Sequence, residues 1–88
     1  MIPVFFPTAW EDYQTLLAGD PKLGMRLNQL IRECMRHPFE GTGKPEALRG
    51  NLGGWWSRRI DREHRLVYRV TGHGDTQALA IAQCRYHY

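Results

Sequence analysis

Lysine is almost absent from this 88-residue chain: of its twelve Lys and Arg residues, only Lys22 and Lys44 are lysines. The cationic surface is therefore one of guanidinium groups, whose planar fork makes bidentate contacts to phosphate that a lysine ammonium cannot. Cysteine is also scarce. Cys34 and Cys84 each sit inside an apolar pattern, expected on a helix and a strand respectively. That is the usual setting of a small buried thiol, not of a disulfide framework or a metal knuckle, and it fits a reducing compartment. The four histidines are scattered and no carboxylate pair accompanies them, so no metal and no cofactor is expected. No apolar run is long enough to span a bilayer, so no membrane association is expected. The opening MIPVFFPTAW has neither a basic start nor a signal-like apolar core. A cytoplasmic protein is the expectation.

What is present is enough for one domain, residues 1–88, with 42% hydrophobic residues and a net charge of +3. So short a chain buries a modest fraction of its surface, and a partner or second copy would add stability. A basic surface built of arginine suits an anionic partner, nucleic acid or an acidic protein.

Taken in order, residues 2–6 (IPVFF) read as a short strand, with Pro3 placing it at an edge or a strand start. Thr8-Ala9-Trp10-Glu11 reads as a capping box opening a first helix, with Trp10, Tyr13, Leu16 and Leu17 as its apolar stripe and Gly19 as its stop. Asp20-Pro21 opens a second helix whose stripe is Leu23, Leu27, Leu30, Ile31 and Cys34, and Pro38 ends it. Residues 37–54 form a loop rich in Gly and Pro, which permits close backbone approach to a ligand. A loop this long in a small domain is usually functional. It carries Lys44, Glu46 and Arg49.

The second half, from Trp55 on, holds a β-hairpin. If Asp61-Arg62-Glu63 is its loop, Ile60 pairs with His64 and Arg59 with Arg65, and both strands bury their even-numbered faces. Arg59, Arg65 and Arg69 then share an open face with Trp55. Arg58 is left on the inner face, where the sequence supplies no reason for a cation. A second turn at Gly72-His73-Gly74-Asp75 leads to ALAIA (78–82), apolar on both sides as in a central strand. The predicted fold is α+β: an antiparallel β-sheet with an N-terminal strand and a two-helix hairpin packed on one face.

Glu46, Arg65, His87 and Tyr88 form the candidate catalytic set, with Lys44, Arg49 and Arg59 as phosphate-binding residues. A carboxylate can accept a proton, an imidazole can donate one near neutral pH, and arginines stabilise a pentacoordinate phosphate. That inventory suffices for metal-free cleavage of RNA by its own 2′-hydroxyl. Spacing alone does not decide it. A loop glutamate is ordinarily a solvated charge, and a histidine next to the end of a chain is ordinarily exposed.

The stretches PFEGTGKPEALRGNLGGWWSRRIDREHRLVYRV and AQCRYHY closely resemble the YoeB (Txe) family of toxins, within the RelE/ParE superfamily. The likeness extends over nearly the whole chain and includes Trp10-Glu11-Asp12-Tyr13. The resemblance implies a ribosome-dependent messenger-RNA endonuclease of a bacterial type II toxin–antitoxin system, acting on messenger in the ribosomal A site. It implies Glu46 as general base, Arg65 as the transition-state arginine, His87 as general acid and Tyr88 as an orienting residue. Arg59 and Lys44 match positions near the phosphates. It further implies an acidic antitoxin, operator DNA reached through that antitoxin, and a homodimer. Trp55, Arg69 and the longer Gly72-His73-Gly74 turn depart from the family pattern. Two other functions remain open on the sequence: a gyrase-poisoning toxin of the same superfamily, which needs no Glu/Arg/His set, and a non-enzymatic RNA-binding module using arginines and exposed aromatics.

Overall fold

The structure, a computed structural model, describes residues 1–86; His87 and Tyr88, the expected acid and orienting residue, lie outside the described residues. β1 (Ile2–Phe5) leads into α1 (Pro7–Gly19) and α2 (Pro21–Arg36), followed by β2 (Glu46–Ala47), β3 (Trp56–Arg59), β4 (Arg65–Thr71) and β5 (Ala78–Gln83). Short 3-10 turns occupy Gly50–Leu52 and Gly74–Thr76.

The predicted capping box at Thr8 does not form. Pro7 occupies the first helical position and Phe6 is the cap, with no side-chain hydrogen bond. Proline presets the helical φ, and at the first helical position its missing N–H costs no intrahelical bond, so the cap falls at Phe6, two residues before Thr8. The second start is as read: Asp20 Oδ1 accepts from the Leu23 amide at 3.1 Å. The two helices meet closely at Gly24, where an added Cβ would lie 2.6 Å from Leu17 Cδ2 and 3.1 Å from Leu17 Cα.

The sheet runs in the order β1-β5-β4-β3-β2. It is mixed, not wholly antiparallel: the two helices carry the chain to β2 at the far edge, three antiparallel pairings bring it back through β3 and β4 to β5, and β5 then lies parallel to β1. β1 is an edge strand, as Pro3 requires. The hairpin register is the predicted one, with Arg59 opposite Arg65 and the Ile60 amide donating to the His64 carbonyl at 3.0 Å. Between β4 and β5 the register shifts at Val67/Tyr68, where Ala82 is the extra residue. Cys84 falls just past the end of β5, a correction to its placement on a strand. It is a buried free thiol all the same, donating to the Ala9 carbonyl at 3.3 Å.

Leu66, Tyr68, Leu79 and Ile81 on the sheet's inner face are fully buried against Leu27, Leu30, Ile31 and Cys34 of α2 and Ala9 and Leu16 of α1. Trp10, assigned to the core stripe, is instead 49% exposed, and the small Ala9 takes the inward position. No helix among the described residues is long and apolar enough to cross a membrane.

Candidate active site

The loop predicted over 37–54 contains a two-residue strand that the sequence did not reveal, and Glu46 lies on it. β2 pairs with β3 through Glu46↔Ser57 and Ala47↔Trp56, and β3 pairs with β4 through Ser57↔Val67 and Arg59↔Arg65. Paired residues share a face of the sheet, and alternate residues along a strand do too. Glu46, Arg59, Arg65 and Arg69 therefore all stand on the face away from the helices. Two strand steps and two residues along the strand separate the Glu46 and Arg65 backbones by roughly 12 Å, a gap that a phosphate group and two long side chains can close.

The neighbouring loop is fixed from two directions. Gly43 has φ +86 and an added Cβ there would lie 2.9 Å from the Arg59 carbonyl. Only glycine allows the loop to lie this flat against β3, and the Arg59 amide donates to the Gly43 carbonyl at 2.7 Å. Lys44 follows at positive φ (53) and is exposed, one residue beyond the Gly43 carbonyl that binds the Arg59 amide. Glu46, Ala47, Leu48 and Arg49 line an open hollow of about 620 Å³. Arg49 thus shares a hollow with Glu46.

The second anchor is Arg58, the cation for which the sequence supplied no role. It is fully buried, and its guanidinium uses every N–H. Nε donates to Tyr68 Oη at 3.1 Å, and Nη1 donates to Glu33 Oε1 at 2.8 Å and the Thr42 carbonyl at 3.1 Å. Nη2 donates to the carbonyls of His37 and Glu40. Tyr68 Oη in turn donates to the Pro38 carbonyl at 2.6 Å, and Glu33 accepts from the Thr42 amide at 2.5 Å. The loop from 37 to 42 is thus wrapped around one buried guanidinium, which is satisfied by Glu33, Tyr68 and three backbone carbonyls. The hydrogen bond from Thr42, seconded by Arg58, holds the Glu33 carboxyl below its ordinary value. Burial pushes the Tyr68 phenol up to about 12, so it stays a donor. Burial also opposes the charge on Arg58, but its partners hold it firmly protonated.

The third anchor ties Tyr86 to His64 and Arg65. The Arg65 amide donates to the Tyr86 carbonyl at 3.1 Å, and His64 Nδ1 accepts from the Tyr86 amide at 2.8 Å. Gln83 Nε2 donates to the carbonyls of Arg85 and Tyr86 at 2.9 and 3.2 Å. His64 is 8% exposed, and with Nδ1 accepting, its proton resides on Nε2. The Arg65 guanidinium is steadied through Nη1, which donates to the carbonyls of Asp61 at 2.8 Å and His64 at 3.1 Å. Among the described residues its Nη2 and Nε carry no hydrogen bond and are open to a substrate oxygen. Neither His64 nor Arg58 was read as part of the site. Both lie inside the conspicuous WSRRI and EHRLVY stretches, but nothing in their spacing shows what each reaches across the fold.

Among the described residues no group of three or more His, Cys, Asp and Glu side chains could hold a metal. The arrangement offers a carboxylate and several guanidinium groups on one sheet face, a set suited to binding and polarising a phosphodiester.

Comparison with known proteins places the chain in a family. A family profile described as "YoeB-like toxin of bacterial type II toxin-antitoxin system" matches residues 5–88. Toxin RelK of Mycobacterium tuberculosis is 54% identical over 84 residues, covering 96% of this chain and 94% of that protein. Among solved structures, a YoeB/ParE toxin from Agrobacterium tumefaciens superposes with a TM-score of 0.96 at 48% identity, over 100% of both chains. A toxin in the heterotetrameric YoeB-YefM toxin-antitoxin complex from Staphylococcus aureus superposes at 0.86 and 44% identity, over 100% of this chain and 98% of that one. With Glu46, Arg59 and Arg65 gathered on a sheet of this shape, and a match running almost end to end, the chain belongs to the family of YoeB-like toxins of bacterial type II toxin–antitoxin systems.

Proposed function

We propose that this toxin is a ribosome-dependent messenger-RNA endoribonuclease that works without a metal ion. The observation that carries the reading is the sharing of one open sheet face by Glu46, Arg59 and Arg65, with Tyr86 hydrogen-bonded to the Arg65 amide. Glu46 takes the proton of the 2′-hydroxyl as that oxygen attacks the adjacent phosphorus. The bond from phosphorus to the 5′-oxygen breaks, and His87 gives that oxygen its proton. Arg65 neutralises the charge gathering on the non-bridging oxygens, Tyr88 orients the substrate, and Lys44, Arg49 and Arg59 hold the flanking phosphates. A gyrase-poisoning toxin would have no use for this arrangement, and a passive RNA-binding module would have no use for Glu46.

Incubating programmed ribosomes with the purified protein tests this. The expected products carry a 2′,3′-cyclic phosphate or 3′-phosphate, because the attacking oxygen belongs to the RNA, and chelator leaves the reaction unchanged while ribosomes stay intact. An intact message, or a 5′-phosphate product, overturns the mechanism.

The same reading includes a cytoplasmic toxin held by an acidic, partly disordered antitoxin that orders along the arginine-rich face. The heterotetrameric Staphylococcus aureus complex supports it. Operator DNA is then reached through the antitoxin. Co-elution of the pair at moderate salt is the expected result, and separate elution removes it. Homodimerisation at micromolar concentration belongs to the same proposal, and a monomeric mass in sedimentation removes that part.

A further inference from the structure

The open sheet face has a second feature, distinct from the Glu46–Arg65 site. Pairing of Val4 with Ala80 and of Ala80 with Arg69 places these three in one row across β1, β5 and β4. Trp55, one residue ahead of the Trp56↔Tyr68 pair, continues the row. Val4, Phe6, Trp55, Arg69, Thr71 and Ala80 line a groove of about 400 Å³, within the size range of small-ligand sites. Its walls are aromatic: Phe6 meets Trp55 edge-to-face, with centroids 5.7 Å apart and planes at 86°. The Arg69 guanidinium lies over the Trp55 ring, 5.3 Å from its centroid. Phe6 is 44% exposed and Val4 42% exposed, so apolar surface is left facing solvent beside a cation.

We propose that this groove is a nucleotide subsite that takes one base and its phosphate from single-stranded RNA outside the scissile step. The proposal rests on the nuclease reading above. An aromatic wall beside a flat guanidinium offers stacking to the base and charge to the phosphate, the combination used for unpaired nucleotides. Arg69 lies four residues along β4 from Arg65, about 13 Å away, so the groove and the scissile site are spanned by the same short stretch of strand without sharing a nucleotide. The occupant is RNA and not a second copy of this chain, because a two-fold contact through this patch would set Arg69 near its own symmetry mate. Trp55 and Arg69 are also two of the three places where the chain departs from the resembled pattern.

The test uses the full-length protein and a labelled single-stranded oligoribonucleotide carrying 2′-O-methyl groups, which block cleavage. Fluorescence anisotropy with Trp55→Leu and Arg69→Gln is expected to show binding weakened about 10–100-fold. Arg69→Gln should also reduce the salt slope by about 1. Trp55→Phe, which keeps a stacking ring, should restore most of the affinity, and its thermal unfolding curve separates lost binding from lost folding. On programmed ribosomes the Trp55→Leu and Arg69→Gln changes should fall on KM more than kcat. Absent oligonucleotide binding by the parent, parental binding by both variants, or loss of antitoxin or dimer contacts with RNA affinity intact overturns the subsite. If the parent cuts message and both variants cut it with parental KM, the subsite fails while the nuclease reading stands. If the parent binds the oligonucleotide in this groove yet cuts no message, the nuclease reading fails and the subsite stands.

Discussion

His64 and Tyr86 are joined across 22 residues of sequence by a 2.8 Å hydrogen bond from the Tyr86 amide to the His64 imidazole. The imidazole is buried and its acceptor nitrogen is aimed at the last turn before His87. On the proposed mechanism this bond makes His64 a positioning residue, acting through Tyr86 on the segment that leads to His87. His64→Leu should lower the cleavage rate on ribosomes about 10²-fold, the cost of misplacing a reacting group by an ångström or so. His64→Asn, whose amide oxygen sits where Nδ1 does, should recover much of that loss. Equal rates for the leucine and asparagine variants would show that the bond has no part in catalysis.

Glu46→Ala and His87→Ala should each slow message cleavage about 10²–10⁴-fold, the usual loss on removing a general base or acid. Arg65→Ala should cost about 10²–10³-fold through the missing charge donor. Glu46 is exposed and Arg65 only half-buried, so the Glu46 and Arg65 variants should unfold at nearly the parental temperature. Single-turnover kinetics paired with thermal unfolding checks both halves, and parental rates would reduce these side chains to surface charges.

Arg58→Met should destabilise the fold by about 2–4 kcal/mol, since it strands three loop carbonyls and leaves Glu33 without its buried partner. Tyr68→Phe removes only the bonds to Arg58 and Pro38 and should cost about 1 kcal/mol. Urea unfolding measures both. A loss of similar size for the two variants would mean that the guanidinium is not the centre of the network.

Glu33 gives the fold a dependence on acid. Its carboxyl is held below the ordinary value of 4.5, so its stabilising contribution is complete above that pH and is lost as pH falls through the lowered folded value. The parent's unfolding temperature should therefore drop below pH 4.5 more steeply than that of Glu33→Gln, which has no such proton to bind. Parallel curves for the two proteins would dismiss the carboxylate's role.

The hairpin was legible because a register error of one residue turns every side chain to the wrong face, so Leu66, Tyr68 and Ile60 fix the pairing of Arg59 with Arg65. The second helix was legible from its stripe and its Asp20-Pro21 start. The first was misread at Thr8 because a proline one residue earlier outcompetes a hydroxyl cap, and at Trp10 because packing against the sheet selected the smaller Ala9.

By itself the sequence determined the α+β class, the two helices, the hairpin and the open arginine face. Each depends on local periodicity or on turn chemistry carried by neighbouring residues. Only the tertiary structure decided that Glu46 is on a strand beside Ser57, that Arg58 holds the loop from inside, and that His64 receives the chain's end. These depend on contacts 11, 18 and 22 residues apart along the chain. A pattern with a period of two or 3.6 residues holds no information about which distant backbone groups will meet a buried guanidinium or imidazole.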